Sequence, residues 1–139
     1  MNRISLWALL LICTTLSTPA MAQSNLELRH QYVMKNLKLN KELTGKFSPV
    51  CKNYLEELKI AKSEYSKLKD KYKDAEKNGT LTNGQAEQLL NAKFEADAKE
   101  LAVRKKYYEE FKKVLPLKKV YYAFDLANDK KSKVKGEKN

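Results

Sequence analysis

The sequence predicts an all-α protein, an elongated antiparallel hairpin of two long helices with one short helix before it and another after it. Three observations favour this class: a long apolar stripe at helical spacing, a capping sequence that begins a second long helix, and the absence of any alternating strand pattern. The stripe recurs every 3.6 residues or so, the α-helical period. It comprises Leu43, Phe47, Val50, Tyr54, Leu58, Ala61, Tyr65, Leu68, Tyr72 and Ala75. A helix over this stripe would be about 50 Å long, which predicts an elongated scaffold.

The N-terminus has the pattern of a secretory signal peptide. A basic start, Met1–Arg3, precedes the apolar run Ile4–Ile12, and Ala20-Met21-Ala22 supplies a cleavage site. We expect cleavage after Ala22 and a periplasmic location, and the run is too short for a permanent transmembrane segment. The expected organisation is a signal peptide at 1–22, a single helical domain at 23–128 and a disordered basic tail at 129–139.

The composition is basic, with 28 Lys and Arg against 17 Asp and Glu and a formal net charge of +11. Lysine and acidic residues alternate along the predicted helices, as is typical of solvated faces. Recognition of phosphates and bases favours arginine, which is scarce here, so we expect no nucleic-acid partner. Acidic proteins or anionic lipid surfaces suit the charge better. After signal removal Cys51 is the single cysteine, either a small half-buried residue or a cross-link between two copies.

The first short helix is capped by Ser24 or Asn25 and ends near residues 36–39. Its apolar positions are Leu26, Tyr32 or Val33, and Leu37. His30 and Met34 lie four residues apart on one face and are weak candidate ligands for copper or nickel. Two ligands do not make a site, so we expect no metal and no cofactor.

The two long helices have recognisable boundaries. Asn40 is a good N-cap for the first, Pro49 predicts a bend near residues 45–49, and Gly79 ends it. Thr82 and Gln85 form a capping box for the second, which runs to about residue 115.

The second long helix has a broad apolar sector, which predicts packing against two neighbours. The sector includes Leu89, Leu90, Phe94, Leu101, Tyr107, Tyr108, Val114 and Leu115. Glu100 and Arg104 lie inside it and are ordered for an ion pair, either a structural polar contact between helices or a partner-binding site. Pro116 then separates it from a last helix. The apolar face of that helix comprises Leu117, Val120, Tyr121, Phe124 and Ala127.

The segment Leu81-Thr82-Asn83-Gly84-Gln85 matches the Leu-Thr-x-x-Gln motif of the Spy/CpxP family of small exported helical proteins. An altered first copy lies at Leu39-Asn40-Lys41-Glu42-Leu43, where Asn40 can still cap but leucine replaces glutamine. The closing segment, residues 107–120, resembles the variants of Bacteroidetes-type envelopes. The resemblance implies an elongated four-helix protein, often an antiparallel homodimer that forms a cradle, with ATP-independent chaperone or envelope-stress roles. Some relatives sense metals through histidine- and methionine-rich sites, which this chain lacks.

These observations favour a binding protein over an enzyme, since there is no constellation for acid–base or nucleophilic catalysis. The leading interpretation is a holdase-type chaperone or stress accessory that binds unfolded or acidic clients. One alternative is a regulatory adaptor that binds an envelope sensor protein, and another is a periplasmic metal sensor. The candidate client contacts are the apolar residues that fall off the packing stripes, Leu55, Ile60, Val103 and Tyr122.

Overall fold

The computed structural model describes residues 24–129, and this part of the chain consists of helices joined by short connections, with no strand. The predicted all-α class is therefore confirmed. The five helices are α1 (Asn25–Leu37), α2 (Lys41–Ala61), α3 (Ser63–Lys77), α4 (Asn83–Val114) and α5 (Leu117–Asn128). The predicted signal peptide at 1–22 and residues 130–139 of the predicted tail lie outside the described residues.

The predicted boundaries of the long helices are confirmed by their cap geometry. The Asn40 side-chain oxygen accepts from the Leu43 backbone N–H at 2.8 Å, which caps α2. At α4, the Thr82 hydroxyl oxygen accepts from the Gln85 N–H at 3.2 Å, and the Gln85 side chain accepts from the Thr82 N–H at 3.0 Å. This reciprocal pair is the predicted capping box. Gly79 has φ +67°, the left-handed conformation expected where α3 ends.

The prediction of one helix over the whole stripe is wrong, because the helix is interrupted at Lys62. Lys62 has φ −91° and ψ −9°, and its N–H makes a long 3.3 Å bond to the Leu58 carbonyl. Its side chain reaches to α4, where Nζ lies 2.9 Å from Glu100. At Pro49, where we predicted a bend rather than a break, α2 continues unbroken. The stripe keeps its phase across the interruption, since all ten of its residues are buried or half-buried.

The main core forms where α1, α2, α5 and the C-terminal part of α4 meet. Phe111 of α4 lies at its centre and is 1% exposed. Its ring centroid lies 4.9 Å from that of Phe47, 5.0 Å from Phe124, 5.4 Å from Tyr54 and 6.0 Å from Tyr107. These aromatic contacts join three helices, so the core fixes α2, α4 and α5 relative to one another.

Helix α1 packs against α2 and α5 and buries Val33 and Leu37. The Lys119 ammonium of α5 donates to the Leu37 carbonyl at 2.7 Å, which satisfies an otherwise unpaired group at the end of α1. The Tyr32 hydroxyl donates to the Asp129 carboxylate at 2.7 Å. We predicted Asp129 as the first residue of a disordered tail, but this bond ties it to α1.

Away from the main core, α3 packs against the first half of α4. We call this pair, α3 with residues 83–99, the two-helix arm. Tyr72 and Ala96 are the buried apolar residues that its described helices contribute, and neither belongs to the main cluster. The Tyr72 hydroxyl donates to the Gln88 side-chain oxygen at 2.7 Å. The arm thus contains much less buried apolar surface than the core.

Candidate functional site

Helix α4 exposes a line of four large apolar side chains, which we call the α4 surface stripe. Its members are Leu90, Phe94, Leu101 and Tyr108, which are 52, 61, 51 and 40% exposed. They lie within about 40° of one another around the helix and extend over about 27 Å. Single exposed apolar residues are common, but four on one line are a candidate interaction surface.

Helix α4 does pack against two neighbours, α2 and α3, as predicted, but they leave half of its apolar sector exposed. The half of the sector that contains Tyr107 and Phe111 is buried in the core, whereas Leu101 is half exposed. Helices α2 and α3 cover α4 along its length, but α5 contacts it far less. No other described helix covers the remaining half. In the sequence the four residues of the α4 surface stripe belong to the broad apolar sector that predicts packing.

Charged groups border the α4 surface stripe. Lys105 is exposed beside it. The Lys112 ammonium lies 4.4 Å from the Tyr108 ring centroid and 2.8 Å from the Glu109 carboxylate, whose hydrogen bond raises the pKa of Lys112. A cation over an aromatic face keeps that ring in place. Lys93 pairs with Asp97 at 2.8 Å near the middle of the stripe. The surface therefore combines apolar contact area with lysine ammonium groups.

A groove of about 580 Å³ continues the C-terminal end of the stripe between α4 and α5. Tyr108 belongs to both the stripe and the groove, and the half-buried Phe124 forms part of its apolar lining. Its other lining residues are Arg104, Lys105, Glu109 and Asn128. The groove has the volume of a site for one or two side chains of a bound segment.

The four residues predicted as client contacts are not brought together. Ile60 is 71% exposed beside a groove that includes Ser24, whereas Tyr122 is 42% exposed beside a different groove. Leu55 is only 4% exposed, so its prediction as an exposed contact is wrong. The reason is the docking of α1, whose Leu26 lies on the same cavity wall. Val103 is half-buried against the main core, which also conflicts with an exposed role.

The predicted metal pair is part of the packing between α1 and α2. The His30 Nε2 atom lies 3.0 Å from the Ser48 carbonyl oxygen and 3.1 Å from its hydroxyl. Since a carbonyl oxygen only accepts, the first contact requires a proton on Nε2. Met34 packs against the main core. Within residues 24–129 no group of three or more histidine, cysteine, aspartate or glutamate residues is arranged to hold a metal ion.

Glu100 is a buried carboxylate, 9% exposed, on the side of α4 that faces α2 and α3. It accepts from Lys62 Nζ at 2.9 Å and from an Arg104 terminal nitrogen at 3.1 Å. The predicted Glu100–Arg104 pair is therefore confirmed, and Lys62 extends it across helices. The Tyr54 hydroxyl and Arg104 Nε are buried without a hydrogen-bond partner. The neighbouring guanidinium opposes the larger effect of burial, which raises the pKa of Tyr54.

Cys51 lies in the main core and is 1% exposed. Burial raises the pKa of its thiol to about 12. A thiol in this environment behaves as a small apolar residue and is protected from exchange. The arrangement supports the first of the two interpretations of Cys51, a buried residue, and its sulfur is not accessible to a second folded copy.

Comparisons of the chain with protein-family models, with curated proteins and with solved structures found no match. Within residues 24–129 no helix is both long enough and apolar enough to cross a membrane.

Proposed function

We propose that this chain is an exported Spy/CpxP-like protein that acts without ATP as a holdase-type chaperone or envelope-stress accessory in the periplasm. Its clients are unfolded proteins, and they bind along the α4 surface stripe. The signal-peptide pattern supports export, and the Leu-Thr-x-x-Gln segment at residues 81–85 supports the family. The role requires binding alone and no catalysis.

The observation that carries this proposal is the α4 surface stripe with its border of lysines. Each of its four side chains is about half exposed, so full burial by a client would stabilise a complex by roughly 1 kcal/mol per residue. The sum, a few kcal/mol, is reduced by the entropy cost of association. Such a surface suits weak, reversible and sequence-tolerant binding. Two of the bordering lysines are paired with Glu109 and Asp97, so long-range attraction for acidic clients comes from Lys105 and from the net charge of +11 on the whole chain.

We also propose that α2 with α3 on one side and α4 on the other form an elongated antiparallel hairpin that presents this surface. Three cross-helix contacts support it: Glu57 with Lys106, Lys62 with Glu100, and Tyr72 with Gln88. From one contact to the next the residue numbers rise along α2 and α3 and fall along α4, as they do in an antiparallel pair of helices. A client held along about 27 Å of one helix would contact several apolar side chains at once.

The test is suppression of aggregation of a chemically denatured client, followed by light scattering at equimolar protein, at low and at high salt. We expect suppression by the native chain, reduced by salt because lysines contribute. The variant Phe94→Ser with Leu101→Ser should lose most of the effect. Circular dichroism should show unchanged helix content, since both side chains already face solvent.

The matched control is Ile60→Ser, which removes an even more exposed apolar side chain away from the stripe. It should retain full suppression. Loss of activity in Ile60→Ser but not in the stripe variant would refute the assignment of the surface. If the stripe variant changes a dimer to a monomer in sedimentation while suppression persists, the stripe is a contact between copies instead. Capture of one saturable envelope partner without any suppression would favour the adaptor function.

A further inference from the structure

A second feature, a cavity, lies at the α2–α3 junction, where the start of α1 packs against the end of α2. A partly enclosed cavity of about 370 Å³ is formed between the start of α1, the end of α2 and the start of α3. Its lining residues are Asn25, Leu26, Arg29, Leu55, Leu58, Lys59, Lys62 and Ser66. Three of these side chains are cationic and none is acidic, which is unusual in a chain that interleaves its charges. The volume is that of a small-molecule site.

The charges around the cavity are only partly compensated. Glu100 is the buried carboxylate nearby, and it is already shared between Lys62 and Arg104. Arg29 is half-buried and makes no hydrogen bond or ion pair with the described residues, although it is close enough to Glu100 to be influenced by it. Desolvation lowers the pKa of Arg29, yet a guanidinium stays charged at neutral pH. None of the Arg29 nitrogen atoms is among the buried atoms that lack a partner, so the guanidinium keeps contact with solvent and is open to an anion.

The choice of arginine supports a specific role for this position. The described residues contain two arginines, Arg29 and Arg104, in a chain whose other cations there are lysines. Arg104 pairs with Glu100 at 3.1 Å, and Arg29, far away in the sequence, lies within electrostatic range of the same carboxylate. A guanidinium binds a carboxylate through two parallel hydrogen bonds and is more weakly hydrated than an ammonium. A cation that served only as surface charge could be a lysine, as almost everywhere else in this chain.

The rest of the wall indicates what is attached to the anion. Leu26, Leu55 and Leu58 line the cavity beside the cations, and the Ser66 hydroxyl is the further polar group of α3. A ligand without an apolar part, such as an inorganic anion, would leave these three leucines without a contact. The neighbouring groove differs, because its lining balances Glu27 and Glu56 against Lys52 and the shared Lys59, whereas the first cavity has cations without an acid.

We propose that the cavity between α1, α2 and α3 binds an amphipathic carboxylate, with the carboxylate on Arg29 and Lys59 and the apolar body against Leu26, Leu55 and Leu58. Two sources have this chemistry, a medium-chain fatty acid and the free C-terminus of a peptide that ends in apolar residues. The site is separate from the α4 surface stripe. Carboxylate binding in the cavity does not depend on whether clients bind to the α4 surface stripe.

The experiment uses decanoate and N-acetyl-Leu-Leu with a free carboxylate as probes, each paired with its uncharged amide. Binding to the mature chain is measured by isothermal titration calorimetry. The contact region is mapped by changes in backbone amide NMR shifts. We expect saturable binding of at least one carboxylate, at least about tenfold tighter than its amide, because a charged hydrogen bond is lost in the amide. The shifts should cluster at residues 25–29 and 55–66. The probe that binds identifies the source.

Two variants and one matched control complete the test. Arg29→Gln should weaken binding of the carboxylate about tenfold, and Lys59→Gln, an exposed position that leaves packing intact, should weaken it in the same direction. Lys73→Gln removes the same charge from an exposed position of α3 outside the cavity and should change nothing. The proposal is overturned if neither carboxylate binds, if the amides bind equally well, or if the Lys59→Gln and Lys73→Gln variants behave alike.

Discussion

Replacing Glu100 with glutamine removes the carboxylate that joins Lys62, at the α2–α3 junction, to Arg104 of α4. Glutamine has nearly the same size, so packing is kept and the change is mainly one of charge. The two cations then remain close together without the anion that both contact. We expect a folded but less stable protein.

The magnitude follows from the exposure of the three side chains. Removing one partner of a fully buried ion pair costs about 3–5 kcal/mol, and a surface pair contributes about 0–1 kcal/mol. The Glu100 side chain is 11% exposed, but those of Lys62 and Arg104 are 40% exposed and can stay hydrated. An intermediate cost of about 2 kcal/mol is therefore expected. For a domain of this size it corresponds to a fall of about 8 °C in Tm.

The assay is urea and thermal unfolding followed by circular dichroism. The matched control is Glu42→Gln, the same substitution in an i,i+4 pair with Lys46 at 2.8 Å whose side chains are 74 and 61% exposed. It should leave the unfolding midpoint unchanged within error, because surface pairs are screened. A Glu100→Gln midpoint no lower than that of Glu42→Gln would refute the reasoning, since burial would then make no difference to the pair.

Three further predictions concern the core and the caps. Tyr54→Phe removes a buried hydroxyl that makes no hydrogen bond of standard geometry, and it keeps the ring contacts, so urea unfolding should show unchanged or up to about 1 kcal/mol higher stability. A loss of more than about 1 kcal/mol would mean that the nearby Arg104 guanidinium stabilises the hydroxyl. Burial raises the pKa of the Cys51 thiol to about 12, so as the pH rises the thiol ionises in the unfolded chain before it does in the folded one. The free energy of unfolding should therefore fall by up to about 1.4 kcal/mol per pH unit above about pH 9. Cys51→Ala should flatten the stability profile between about pH 9 and 10, and an equal slope in both proteins would contradict this. Thr82→Ala and Asn40→Ala should each destabilise by about 1 kcal/mol in urea, and no change in either would show that the cap is dispensable.

The features predicted correctly from the sequence are those set by local chemistry. The cap at Asn40 and the capping box at Thr82 depend on side chains within three residues of the backbone groups that they satisfy. The apolar stripe of α2 and α3 depends only on the helical period. The Glu100–Arg104 pair likewise lies within one turn of α4.

The features that the sequence did not predict depend on which helices meet. Periodicity gives the angle of a side chain around its own helix but not the number of neighbours, so Phe94 and Tyr107 both fell in one sector although only Tyr107 is buried. Leu55 was predicted as exposed because the docking of α1 over it is a long-range contact. The approach of Arg29 to Glu100 has the same origin. No local pattern marks Lys62 as an interruption.

The contrast between the main core and the two-helix arm has a consequence for hydrogen exchange. The arm buries little beyond Tyr72 and Ala96, so its amides should exchange through local opening, at a lower free energy than the global unfolding that exposes residues around Phe111. The α4 surface stripe crosses this boundary, since Phe94 lies on the arm and Tyr108 beside the core. One helix thus carries a compliant end and a rigid end. If the stripe binds a segment as proposed, that segment would be held firmly at the rigid end, and the compliant end could adjust to its shape.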